Sequence, residues 1–173
     1  PPRNPCFYTM KPYLSKLLKF GYLNHTNGIA LEVGSGDGED AKALEELGYT
    51  VEKFDKKEGI DLRDFAFVPE KYDFININNV LPFIKDKREV IESLKKMAAS
   101  LKKGGVLHFT LFGINDAWAT KPEMSFWTFD EANTMVDDLV GKCVIRSSEE
   151  YVGKTMAGDQ KYWHMLRYVL VKK

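Results

Sequence analysis

The sequence predicts an α/β fold, a three-layer sandwich with helices on both faces of a mostly parallel sheet that ends in an antiparallel hairpin. Three observations predict it. The apolar run Ile29-Ala30-Leu31-Glu32-Val33 passes into Gly34-Ser35-Gly36-Asp37-Gly38 and then into a helical pattern, which reads as strand, tight turn and helix start. Further apolar runs at 51–55, 72–78 and 106–111 alternate with helical periodicity, the signature of a parallel sheet with crossovers. Finally, two strand-like segments at 142–151 and 161–171 flank a short polar turn, as in a hairpin.

Composition agrees with one globular unit. A chain of 173 residues can bury a sizeable single core, so 1–173 is read as one domain, with a helical segment at 1–28 ahead of a core at 29–173. Hydrophobic residues at 44% and charged residues at 29% argue against disorder. The 25 basic residues balance the 25 acidic ones, so no overall field draws the protein to nucleic acid or to an anionic membrane. No apolar run approaches the roughly 20 residues that span a bilayer, and the first residues lack a signal-peptide pattern. Cys6 and Cys143 form no C-x-x-C pair and fit reduced thiols of a cytoplasmic protein. His25, His108 and His164 share no ligand spacing with each other or with the cysteines, so no metal is expected. Oligomeric state is left open.

Each element has its local reason. Residues 10–20 carry Tyr13, Leu14, Leu17 and Leu18 near helical spacing, with Gly21 as the stop. Residues 40–47 put Ala41, Leu44 and Leu47 on one stripe before Gly48. Only Lys56-Lys57-Glu58-Gly59 separates the second strand from Ile60-Asp61-Leu62, too short for a helical crossover. The helix between the second and third strands is therefore expected to be missing or very short, and any third strand vestigial. Asp86 begins a long helix with Glu89 as its capping-box partner, and Gly104-Gly105 ends it. Thr128 and Glu131 cap a last helix reaching about Leu139.

The pattern E-x-G-x-G-x-G after a strand resembles motif I of the class I S-adenosylmethionine-dependent methyltransferases, a Rossmann-like fold. The acid Asp55 after the second strand, the strand Tyr72-Asp73-Phe74-Ile75 and the turn-strand Leu101 to Leu107 match later landmarks of that family in order. The similarity runs from about Tyr8 to Lys173 and is closest in character to compact small-molecule members, of the tellurite-resistance and thiopurine type. A dinucleotide fingerprint G-x-G-x-x-G would put its third glycine at position 39, which is Glu39. That spacing and the closing hairpin oppose a nicotinamide-dependent oxidoreductase. A non-catalytic protein that keeps the fold and binds the cofactor or a partner is the other alternative.

The resemblance implies S-adenosylmethionine as cofactor, S-adenosylhomocysteine as product, and in-line transfer to a small-molecule acceptor. It implies that Gly34, Ser35, Gly36 and Gly38 contact the cofactor's amino-acid end and ribose, with Glu32 attracting the ammonium. Asp55, 21 residues after Gly34, suits the ribose hydroxyls. Asp61 and the Leu62 backbone N–H suit the adenine ring, and Tyr8 closes over the cofactor. Asn78 falls near the methionine moiety. On the acceptor side stand Asn79, Phe112, Trp118, Trp127 and His164. Several of these have a plain structural reading too: Asn76, Asn78 and Asn79 as satisfied amides shaping a turn, the aromatic residues as core, His164 as a structural histidine. No catalytic residue is assigned, because the sulfonium activates the methyl group and a base is needed only for an acceptor that must lose a proton.

Overall fold

The computed structural model describes residues 10–34, 36, 38–55 and 61–173. Its elements are α1 (Pro12–Lys19), β1 (Ile29–Val33), α2 (Glu39–Glu46), β2 (Thr50–Phe54), β3 (Tyr72–Ile77), α3 (Lys87–Ser100), β4 (Leu101–Phe112), α4 (Phe129–Asp137), β5 (Lys142–Lys154) and β6 (Gln160–Val171). One six-stranded sheet runs in the order β2-β1-β3-β4-β6-β5. β2, β1, β3 and β4 are mutually parallel, and β6 inserts antiparallel between β4 and β5. This is the predicted Rossmann-like architecture with its C-terminal hairpin.

The period-2 pattern of the strands sorts the two covering layers. Leu31, Val33, Ile75, Ile77, Leu107 and Phe109 pack against Val90, Leu94 and Met97 of α3 and Met135 and Val136 of α4. Ala30, Phe74, Val106 and Val169 on the other face pack against Leu14 and Leu17 of α1 and Leu44 of α2. The chain crosses from β1 outward to β2, and from β2 it returns past β1 to β3 on the other side. The strand order thus reverses beside β1, where α/β sheets open a crevice at their carboxyl ends.

Among the described residues between β2 and β3, the only helical element is a short 3-10 segment at Leu62–Asp64, and no further strand forms. The expected loss of that crossover helix therefore fits residues 61–71, while 56–60 lie outside the described residues. Two local expectations change. The helix α3 stops at Ser100, and Gly104-Gly105 lies inside β4. There the register jumps, because Tyr72 pairs with Leu101 while Phe74 pairs with Val106. A Cβ on Gly105 would come 2.9 Å from the Tyr72 carbonyl oxygen, so these glycines serve a strand irregularity rather than a helix stop. Asp86 does cap α3, accepting from the Arg88 N–H at 2.8 Å, but Glu89 does not complete a capping box. Its carboxylate is taken by Arg63 at 3.0 Å. The Thr128–Glu131 box of α4 forms in full. Among the described residues no helix is long and apolar enough to cross a membrane.

Candidate functional site

The turn after β1 opens a cleft of about 1040 Å³ at the carboxyl ends of the strands. Gly34 donates its N–H to the Phe54 carbonyl at 2.6 Å, which locks the turn to the end of β2. Its φ is +71°, and a Cβ there would lie 2.3 Å from Val80 Cγ2, so glycine is required by packing as well as by backbone conformation. Gly36, at φ +52°, differs: a Cβ on it would meet nothing closer than 4.0 Å. The Gly36 N–H donates to Asp55 Oδ2 at 3.3 Å, so the acid at the end of β2 also braces the turn.

Of the residues predicted from sequence, Gly34, Asp55, Asp61, Leu62 and Asn79 line this cleft together. Asp61 reaches it already engaged with Arg63, through the Arg63 N–H at 2.9 Å and the guanidinium at 2.7 Å. Arg63 continues to Glu89 of α3, and both carboxylates hold its charge. Asn79 adopts a left-handed backbone at φ +58° and donates its N–H to Thr110 Oγ1 at 2.8 Å, which ties the end of β3 to β4. Asn78 shares the same hydroxyl at 3.4 Å. Val80, Phe83 and Ile84 make an apolar part of the wall, and Lys85 to Glu89 with Glu123 make a charged part. Tyr8 and Ser35 lie outside the described residues.

Behind the turn runs a buried polar layer that sequence reasoning saw only in part. Glu32, Asn76 and His108 stand side by side on β1, β3 and β4 by register, under α1. Glu32 is 2% exposed and accepts from Asn76 Nδ2 at 2.8 Å. Burial pushes its carboxyl up to about 9, against the relief that this hydrogen bond gives the charged form. Asn76 Oδ1 meets His108 Nδ1 at 2.6 Å, and His108 Nε2 faces Arg167 Nη1 at 2.6 Å. Arginine only donates, so His108 Nε2 accepts and its proton sits on Nδ1, directed at Asn76. Burial, then the Arg167 charge, keep His108 neutral. Tyr13 stacks on His108 with centroids 4.5 Å apart, and its hydroxyl donates to Asp40, which Lys11 also reaches at 3.3 Å. Asn76 is therefore a satisfied amide rather than part of an open cleft. The signal for this layer was present in the sequence: His108 and Thr110 interrupt an apolar strand with period two.

The predicted acceptor-side aromatics stand behind the cleft wall. The lining does not include Phe112, Trp118, Trp127 or His164. Phe112, Trp118 and Trp163 surround the Lys161 ammonium, at 4.7, 4.3 and 3.5 Å from the ring centroids. Lys161 in turn pairs with Asp116 at 2.6 Å, with both side chains almost fully buried. Asp116 also accepts from the Trp118 and His164 backbone N–H groups, each at 3.0 Å. The cluster meets the cleft through Phe83, 56% exposed and 6.3 Å from both Phe112 and Trp118. Trp127 belongs to the α3/α4 core. His164 is satisfied at both ring nitrogens: Nδ1 accepts from the Asn115 N–H at 3.1 Å, so Nε2 carries the proton toward Ser148 Oγ at 2.9 Å. Among the described residues no group of His, Cys, Asp or Glu could hold a metal ion.

Comparison with known proteins places this geometry. A family model described as a methyltransferase domain matches residues 7–148. A stretch of 99 residues, 51% of this chain, is 32% identical to an uncharacterized protein of Methanocaldococcus jannaschii and covers 45% of it. The chain thus spans less than half the length of that relative. Among solved structures, an S-adenosylmethionine-dependent methyltransferase from Methanosarcina mazei superposes with a TM-score of 0.70 at 16% identity, over 94% of this chain and 98% of that one. TehB from Haemophilus influenzae gives 0.71 at 16% identity, over 95% and 63% of the two chains. The 1,6-didemethyltoxoflavin-N1-methyltransferase of Burkholderia thailandensis, solved with 1,6-didemethyltoxoflavin and S-adenosylhomocysteine, gives 0.66 at 15% identity, over 96% and 79%. At these identities the structural likeness is one of fold.

Proposed function

This chain belongs to the methyltransferase-domain family, and on that premise we propose that it methylates a small-molecule acceptor with S-adenosylmethionine as the donor. The observation that carries the reading is the meeting of Gly34 and Gly36 with Asp55, where Gly34 and Asp55 line one end of an open cleft. Beside them the space next to the Gly36 Cα is open, with no atom closer than 4.0 Å to where a Cβ would stand. The cleft has ample room for a nucleoside and a small partner, since ligand pockets commonly run ~300–1,000 Å³.

When bound, the cofactor supplies a methyl group already activated by its sulfonium. The chain's own residues then have to bind, orient and exclude water. Asp55 offers a carboxylate to the ribose diol while its other interaction fixes the turn. Leu62 and the Asp61–Arg63 pair border the place for the adenine ring, where an N–H and a carboxylate edge suit its nitrogens. Val80, Phe83 and Ile84 close the apolar side and keep water from the transferring group. Thr110 braces both asparagines, Asn78 beside the place for the methionine moiety and Asn79 on the side from which an acceptor approaches. Holding two reactants in line in this way can lower the barrier by about 7–11 kcal/mol. The small-acceptor reading is supported by the cleft's size, by the absence of net charge, and by a fold neighbour solved with the small molecule 1,6-didemethyltoxoflavin. The cytoplasmic expectation rests on the isolated cysteines, of which Cys143 is a free thiol.

Calorimetric titration tests the donor. S-adenosylmethionine and S-adenosylhomocysteine should bind and NADH should not; the reverse pattern removes the proposal. Transfer of a labelled methyl group to the small-molecule fraction of a cell extract separates an enzyme from a protein that merely binds the cofactor.

A further inference from the structure

We propose that the outer edge of β5 pairs antiparallel with β5 of a second copy of this chain, about a two-fold axis centred on Ser148. The inference is independent of the methyl-transfer reading. The sheet has two edges, β2 with five residues and β5 with thirteen. Free edges are usually kept short, because their unpaired N–H and C=O groups recruit another strand. β5 pairs with β6 as far as Lys154, and among the described residues no strand lies along its other side. Its distal half also carries apolar side chains in the open: Tyr151 is 44% exposed and Val152 64%. Tyr162, the partner of Val152 on β6, is exposed as well.

The strand is complementary to itself when its direction is reversed. In an antiparallel pair, directly opposed residues lie on the same face and their side chains interact. With Ser148 opposite its own copy, Arg146 faces Glu150 and Ile145 faces Tyr151, and the two-fold axis makes each contact twice. Arg146 and Glu150 share one face of β5, beside Tyr168 and His164 of β6, while Ile145 and Tyr151 share the other, beside Val169 and Trp163. Moving the centre by one residue destroys both matches. About Ser147 the pairs include Ile145 with Glu149, and about Glu149 they include Arg146 with Val152. The register irregularity between Cys143 and Ile145 ends the regular ladder before Lys142 and Lys154 would face each other. Within the single chain Arg146 reaches Asp137 at 2.7 Å, through a guanidinium that has further N–H donors to offer. A second copy is the partner this edge fits, because both halves of the match lie on one strand. Each copy then uses the same strand, so the assembly closes at two.

The test is sedimentation velocity on the whole chain from micromolar to millimolar concentration, for the wild type and for the charge reversals Arg146→Glu and Glu150→Arg. The wild type should pass from the 19.8 kDa monomer to a dimer. Either reversal sets like charges opposite each other at both ends of the ladder, which should raise the dissociation constant at least about tenfold. An equimolar mixture of the two variants should dimerise again, because one then carries two acids where the other carries two bases. Should a variant not fold, amide hydrogen exchange on the wild type decides the matter. Exchange along residues 145–151 should slow as protein concentration rises, while exchange along β2 stays constant. A wild type that remains monomeric throughout overturns the proposal. So does a dimer indifferent to both reversals, a mixture of variants that stays monomeric, or exchange along β5 that ignores concentration.

Discussion

Replacing Glu32 by Gln should make the protein more stable at neutral pH, and increasingly so as the pH rises. Glu32 is buried beneath α1, and burial lifts its carboxyl from 4.5 to about 9. The folded chain therefore keeps this proton across neutrality, while the unfolded chain releases it near 4.5. Between those values the unfolded state binds fewer protons, so Glu32 makes stability fall with rising pH by about 1.4 kcal/mol per pH unit. From 4.5 to pH 7 this amounts to about 3 kcal/mol, an upper figure for one buried group. Gln has the same shape and can still accept from Asn76, but it has no proton to lose. Urea denaturation of both proteins at unit steps from pH 5 to pH 9 reads the effect. The two stabilities should nearly coincide at pH 5 and diverge steadily above it. Parallel profiles, or a variant less stable than wild type at pH 8, would refute the placement of a protonated acid at this site. S-adenosylhomocysteine affinity measured on the same variant separates the roles of Glu32: unchanged affinity assigns it to the fold, reduced affinity to the cofactor's ammonium.

Asp55→Ala should weaken S-adenosylhomocysteine by about 1–3 kcal/mol, since the variant loses a polar partner of the ligand and the brace on Gly36; an unchanged dissociation constant takes Asp55 out of the site. Gly36→Val should abolish cofactor binding while leaving a cooperative thermal transition, because its Cβ points into open space and only backbone strain of about 1–2 kcal/mol is added. Gly34→Val should instead lower the melting temperature sharply, as its Cβ would collide with Val80. Lys161→Met should cost about 3–5 kcal/mol in chemical denaturation, because it strands the buried Asp116 carboxylate among aromatic rings. Adding Asp116→Asn should recover part of that loss, and strictly additive effects would contradict the buried pair.

Much of the backbone was written in local signals. The β1 strand, the glycine turn, the Thr128–Glu131 cap and the closing hairpin each depend on residues within a few positions of one another, so period and turn chemistry suffice to find them. Gly104-Gly105 shows where such signals run out. A glycine pair after an apolar stripe reads as a helix stop, yet the close approach of the Tyr72 carbonyl, 33 residues upstream of Gly105, makes it part of a strand. Glu89 shows the same limit, since the local capping box lost its carboxylate to Arg63, 26 residues away.

Family order and glycine spacing, read from the chain alone, settled the architecture and pointed to Gly34, Asp55, Asp61, Leu62 and Asn79, which the fold gathers around one cleft. Folding alone decided the chemistry of the polar residues beneath and beside that cleft. Glu32 meets Asn76 across 44 residues, Lys161 meets Asp116 across 45, and Arg167 meets His108 across 59. Whether such a group is charged, neutral or paired depends on how far strand register and helix packing remove it from water. That quantity belongs to the assembled sheet, and no stretch of neighbouring residues contains it.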